Sequence, residues 1–233
     1  MKKIFLFILF LTLHSFGQSK NPDIILNNVK EKFSKIKDYE VNVRIKVDVD
    51  FLKVPVSEAK IYFKQPDKIH FESENFALLP KEGVNFSPMA ILKGNYSAIY
   101  EREDTVNGIK TSVIKVIPLN EKGNIILTTL WIDQSRDYIM KVESTTKING
   151  TFSLELNYAK PVDDYPLPSS MIFSFNIDRT NIPRGMYGNM DDEDKVNKEN
   201  KQNRKRTTGK VFIEYSNYKV NQGIPDSIFE KNK

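Results

Sequence analysis

The chain has 233 residues, no cysteine, 11% aromatic residues and a formal net charge of +5. The missing thiols exclude disulfides and thiolate chemistry, and so small a charge, reduced by two more without Lys2 and Lys3, gives no basic field for nucleic acid. A chain of this length suits one domain that buries roughly 70% of its unfolded surface.

Lys2 and Lys3 precede an apolar run from Ile4 to Leu13, followed by Ser15-Phe16-Gly17, with small residues where a signal peptidase reads. The pattern predicts a secretory signal peptide over residues 1–17, with an apolar run too short for a comfortable membrane span. The residue after the expected cleavage is Gln18, not the Cys that lipidation requires. The expectation is a single domain over residues 18–233, exported to the periplasm as a monomer and not itself lipidated.

One helix opens this domain. Asn21 suits its cap and Pro22 its first turn. Ile25, Val29, Phe33 and Ile36 recur at near-helical spacing, and the helix is expected to end near Asp38. The period then changes to two. Val41, Val43, Ile45, Val47, Val49 and Phe51 alternate with Glu40, Asn42, Arg44, Lys46, Asp48 and Asp50. This is a long antiparallel strand with one face on a core and the other in water. Ala59, Ile61 and Phe63, then Ile69 and Phe71, mark the apolar side of two more strands around a turn at Gln65-Pro66-Asp67.

The stretch from Asn75 to Gly94 breaks the alternation. It holds Phe76, Leu79, Phe86, Met89 and Leu92, and Pro80 and Pro88 forbid a continuous strand or helix. It reads as a loop with a short helix lying over the sheet. Strands resume at Tyr96–Arg102, Ile109–Ile117, Ile125–Asp133, Tyr138–Lys147, Thr151–Tyr158, Met171–Arg179 and Lys210–Val220. Asn107-Gly108 and Asn149-Gly150 are hairpin signals. Between Leu130 and Glu143 apolar side chains, Trp131 among them, reach both faces, and alternation leaves open which face looks inward. The residues from about 182 to 208 split into an acidic head and a basic tail and read as a solvated, flexible insertion or a charged docking segment. The expected fold is mainly β: a strongly curved antiparallel sheet of about ten strands with one N-terminal helix.

Chemistry is hard to find. After cleavage the only histidine is His70, on the polar side of its strand, and no Gly-x-Ser-x-Gly elbow accompanies it. One His and no Cys cannot build the usual zinc sites, and Asp191, Asp192, Glu193 and Asp194 lack calcium-loop spacing. No phosphate loop or dinucleotide fingerprint is present. The pattern points to a binding protein without catalytic residues, metal or cofactor.

The order of signal peptide, amphipathic helix, long alternating strand, "IYFKQPDKIHFES", "TTLWID…YIMKVE" and the tail "YSNYKVNQGIPDSIFE" resembles the outer-membrane lipoprotein-sorting carriers, the LolA/LolB-like family. The resemblance covers most of the chain after the leader. It implies a half-open β-barrel of about eleven strands, helices covering its concave side as a lid, and acyl chains of lipids or lipoproteins as ligands, with outer-membrane or envelope proteins as further partners. An envelope sensor on the same fold, which binds lipid and signals to a protein partner, is the alternative. The lining is then expected from Val43, Ile45, Val47, Val49, Ile61, Phe63, Ile69 and Phe71, with Trp131 of the barrel wall counted among it. The lid is expected from Phe76, Leu79, Phe86, Met89 and Leu92. The family places an Arg before the Pro of this turn, where it latches the lid by hydrogen bonds; here the position is Gln65. Closure is therefore expected to rest more on apolar contact.

Overall fold

The computed structural model describes residues 20–49, 55–72, 91, 92, 94–120, 123–147, 150–159, 162, 165–178 and 206–230. Helix α1 (Pro22–Ser34) begins as the sequence dictates: the Asn21 side chain accepts a hydrogen bond from Asp23 N at 2.9 Å, and Pro22 occupies the first turn. It ends four residues before Asp38, because the first strand already starts there. Its inward stripe is Leu26, Val29 and Phe33, all buried, whereas Ile25 is only half-buried; Ile36, also buried, lies just past its end. The three-four spacing of the stripe keeps it on one helix face.

Ten strands follow among the described residues: β1 (Asp38–Val49), β2 (Ser57–Lys64), β3 (Lys68–Glu72), β4 (Tyr96–Val106), β5 (Ile109–Pro118), β6 (Ile125–Asp133), β7 (Tyr138–Thr146), β8 (Thr151–Asn157), β9 (Ser170–Asp178) and β10 (Arg206–Val220). They form one antiparallel sheet in the order β3-β2-β1-β10-β9-β8-β7-β6-β5-β4. The edges β3 and β4 do not pair with each other, so the sheet stays open, as in a half-open barrel. One turn of 3-10 helix, Asp226–Ile228, follows β10.

Turn chemistry holds the meander in register. Asn107 and Gly108 both adopt positive φ, 51° and 80°, which the two-residue β4–β5 hairpin requires. Gly150 opens β8 at φ 74°, and a Cβ there would come within 2.6 Å of Asn176 O. In β10, Asn217 takes φ 57° beside the register shift between β1 and β10. That shift lets Tyr215 and Tyr218, three residues apart, both pack against the same core.

Candidate functional site

The register sorts the side chains into two faces of opposite character. One inner row runs Val47, Val211, Phe173, Leu154, Val142, Leu130, Ile114 and Tyr100 across eight neighbouring strands. The next row runs Val49, Gly209, Phe175, Phe152, Ser144, Thr128, Val116 and Ala98. Leu26 and Val29 of α1 belong to the same apolar cluster, so α1 lies on this face. Phe175 lies over Gly209, whose missing side chain makes room for the ring. The outer face carries Asp48, Lys210, Ser174, Ser153 and Glu143 in one row, and Glu58, Arg44 and Glu214 in another.

Three hollows differ accordingly. Two lie along the outer rows, of about 820 Å³ beside Arg44, Glu58, Lys60 and Glu214 and about 490 Å³ beside Asp48, Glu143 and Lys210. Size alone does not make the first a site, because charged and polar side chains make up most of its wall. The third, of about 520 Å³, opens onto the inner face at the end where β4 starts, β5 ends and β6 starts. Ile91, Tyr96, Val116, Ile125 and Thr128 line it, and Leu119 stands on its rim, 62% exposed. That volume falls within the ~300–1,000 Å³ of small-molecule sites. Among its lining residues Thr128 interrupts the apolar row, and its Oγ1 shares a hydrogen bond of 2.9 Å with the buried Ser144 Oγ on the neighbouring strand.

Helix α1 bridges the two free edges of the sheet. At its C-terminal end Gln65 Nε2 donates to Ile36 O at 2.5 Å and Ser34 O at 3.2 Å, with Phe33 O at 3.4 Å. Asn221 Oδ1 accepts from Lys37 N at 2.7 Å while its Nδ2 donates to Lys35 O at 3.0 Å. Phe33 packs edge-on against Phe63, ring centroids 6.0 Å apart. At the other end the contacts are tips of long side chains. Lys20 Nζ meets Glu103 Oε1 at 2.7 Å, and Lys30 Nζ donates to Tyr96 Oη at 2.7 Å while sitting 4.9 Å from the ring centre. Gln65 thus keeps a hydrogen-bonding role at the turn, directed at α1. The expected closure of the lid by apolar contact concerns residues 75–94, most of which lie outside the described residues.

Of the residues singled out from sequence, Val43, Ile45, Val47, Val49, Ile61, Ile69 and Phe71 lie in or against the large inner cluster, as does Leu92. Phe63 joins a smaller cluster with Phe33, Ile36 and Leu167. Trp131 is on the other side. Its neighbours across the ladder are Val113 and Lys141, its Nε1 donates to Asp104 Oδ2 at 3.0 Å, and Lys141 Nζ stands 4.6 Å from its ring centre. Trp131 is therefore removed from the lining; Leu130 and Ile132 take the inner face. Phe76, Leu79, Phe86 and Met89, and residues 182–205 of the insertion expected over 182–208, lie outside the described residues; its last three residues, Arg206, Thr207 and Thr208, are instead paired in β10, so the expected insertion ends too late. Sequence reading missed Lys30, Tyr96, Val116, Ile125, Thr128 and Ser144. The last two carried a signal: polar residues at inward positions of alternating strands.

The fold's titratable groups sit mostly away from this hollow. Burial raises the carboxyl pKa of Asp133, but hydrogen bonds from Ser135 and Arg136 outweigh it and hold the group below the usual carboxylate range. Burial pushes the phenols of Tyr39, Tyr158, Tyr215 and Tyr218 far above their ordinary value. Tyr158 Oη and Tyr218 Oη donate to Ile139 O and Pro168 O, each at 2.9 Å.

No family model matches the chain, and no curated protein matches it in sequence. Solved structures do share its architecture. A LolA superfamily protein from Nitrosomonas europaea superposes with a TM-score of 0.54 at 13% identity, covering 91% of this chain and 98% of its own. An outer-membrane lipoprotein-sorting protein domain from Vibrio parahaemolyticus gives 0.55 at 12%, covering 91% and 98%. A DUF1329 family protein from Desulfovibrio piger gives 0.56 at 12%, covering 90% and 97%. The likeness is one of fold.

Proposed function

We propose that this LolA-like fold is a periplasmic binding protein and carrier for the acyl chains of lipids or lipoproteins, acting without catalysis. The observation that carries the reading is the inner face: an apolar row eight strands wide, one helix over it, and a hollow of about 520 Å³ opening onto it. The fold shared with a lipoprotein-sorting domain supports it.

Physics gives such a protein a purpose. Each methylene moved from water into an apolar site contributes about 0.8 kcal/mol, so a chain of about sixteen carbons resists water by roughly 12 kcal/mol. A half-open barrel covers the chain while its own outer face stays charged and wet. Export follows from the leader read in the sequence, and the N-terminal residue of protein recovered from the periplasm, expected to be Gln18, checks it. The sensor alternative rests on the charged insertion, outside the described residues.

Native mass spectrometry of protein purified under mild conditions, followed by titration with a fluorescent fatty acyl probe, tests the reading. Co-purified lipid or saturable probe uptake is expected. Absence of both overturns it.

A further inference from the structure

We infer that Lys30 and Tyr96 form a headgroup site for an anionic amphiphile whose chain enters the hollow between β4, β5 and β6. The inference rests on the acyl-chain reading above and narrows its ligand class. Lys30 is half-buried on α1, and its ammonium has Tyr96 as its only polar partner among the described residues. No carboxylate stands within ion-pair distance of it among those residues, whereas Lys20, one end of the same helix away, has Glu103. An ammonium met only by a neutral phenol keeps donor capacity for an anion, with which its hydrogen bond would be charge-assisted and about twice as strong.

The position of this cation gives that capacity a direction. Tyr96 is both the partner of Lys30 and a wall of the hollow, which Val116, Ile125 and Ile91 also line. A ligand with an anionic end and an apolar body fits this order: the head on Lys30 Nζ and Tyr96 Oη, the chain over Val116 and Ile125. Thr128, on the lining, adds a second polar point. Thr128 and Ser144 share one hydrogen bond between two hydroxyls, so one O–H of the pair remains without an acceptor among the described residues. An oxygen further along the ligand, such as an ester carbonyl, would satisfy it.

The head chemistry is a carboxylate or a phosphate, which a lysine ammonium and a phenol bind alike. Fatty acids supply the first and phospholipids the second. Because Lys30 lies on α1 and Tyr96 on the edge strand β4, the bound head would also tie the helix to that edge.

The test measures a fluorescent polyene fatty acid and its methyl ester on the full chain after leader removal, with palmitate and hexadecyl phosphate as competitors. A charge-assisted hydrogen bond predicts that the acid binds about tenfold or more tightly than the ester. Lys30→Met, which keeps the stem and removes the charge, should weaken the acid to the level of the ester and leave the ester unchanged. Tyr96→Phe should weaken the acid alone, by a smaller factor. Unchanged circular dichroism and unchanged ester affinity show that both variants fold. Displacement by palmitate but not by hexadecyl phosphate assigns a carboxylate head, and the reverse assigns a phosphate; either supports the site. Equal binding of acid and ester in the unmodified protein, or equal weakening of both in Lys30→Met, overturns the headgroup site and leaves the carrier reading standing. Binding of neither ligand overturns both.

Discussion

Replacing Gln65 by Ala probes what fastens α1 to the sheet. The last carbonyls of a helix lack their usual intrahelical donors, and here Gln65 Nε2 faces two of them, at Ser34 and Phe33, together with the carbonyl of Ile36 just past the helix end. The amide nitrogen carries two protons, so at most two full bonds exist at once, and the 2.5 Å and 3.2 Å contacts are the stronger pair. At about 1 kcal/mol net for each, the substitution should cost about 2 kcal/mol. For a domain of this size that lowers the Tm by roughly 4–8 °C. Gln65→Glu should cost more, about 3 kcal/mol, because an acceptor then meets carbonyls at the negative end of the helix. Gln65→Arg keeps the donors and should stay within about 1 kcal/mol of the unmodified protein. Urea unfolding followed by circular dichroism measures all three, and hydrogen exchange at Lys37, whose N–H donates to Asn221, reports whether the loss is local. If Ala costs less than about 0.5 kcal/mol, or if Glu is as stable as Gln, the capping argument is wrong.

Ile45→Asp places a charge on a side chain that is 1% exposed, and should cost at least about 4 kcal/mol and abolish acyl-probe uptake; a variant that folds and still loads the probe removes Ile45 from the lining. Gly209→Ala would put a Cβ 2.4 Å from Phe175 Cζ and 2.8 Å from Val49 Cγ2, so a loss of about 1–3 kcal/mol is expected in chemical denaturation, partly restored by Phe175→Leu in the double variant. Asp133 has a folded pKa below its unfolded value of about 3.9, so its contribution is present above that pH and is lost as pH falls through the folded value. Asp133→Asn should accordingly flatten the acid limb of the stability profile. The buried phenols carry the opposite sign: stability is full below about pH 10 and falls as pH rises. Ultraviolet titration should show Tyr62, pushed up to about 12 by burial and by Glu72, ionising before Tyr39, Tyr158 and Tyr215, which should ionise only with unfolding.

Period and punctuation in the chain determined most of the architecture. The strict alternation from Glu40 to Val49 decided both a strand and its two faces, since side chains of a pleated strand must point oppositely. Asn21-Pro22 decided where α1 starts, and Asn107-Gly108 decided a hairpin, because each places the backbone conformation its position requires. What the sequence left open was whatever depends on residues far apart in the chain. Between Leu130 and Glu143 both parities are apolar, and only pairing settles the matter: Leu130 lies between Ile114 and Val142 on the inner face, while Trp131 lies between Val113 and Lys141 on the outer. The role of Gln65 was equally invisible, because its partners are helix carbonyls some thirty residues earlier, brought to it by the packing of Phe33 on Phe63. Lys30 reads in the sequence as one more solvated lysine of an amphipathic helix. It becomes a candidate for anion binding only when the open edge of the sheet sets Tyr96 beside it and leaves no carboxylate there among the described residues, a juxtaposition of two elements that local propensity does not encode.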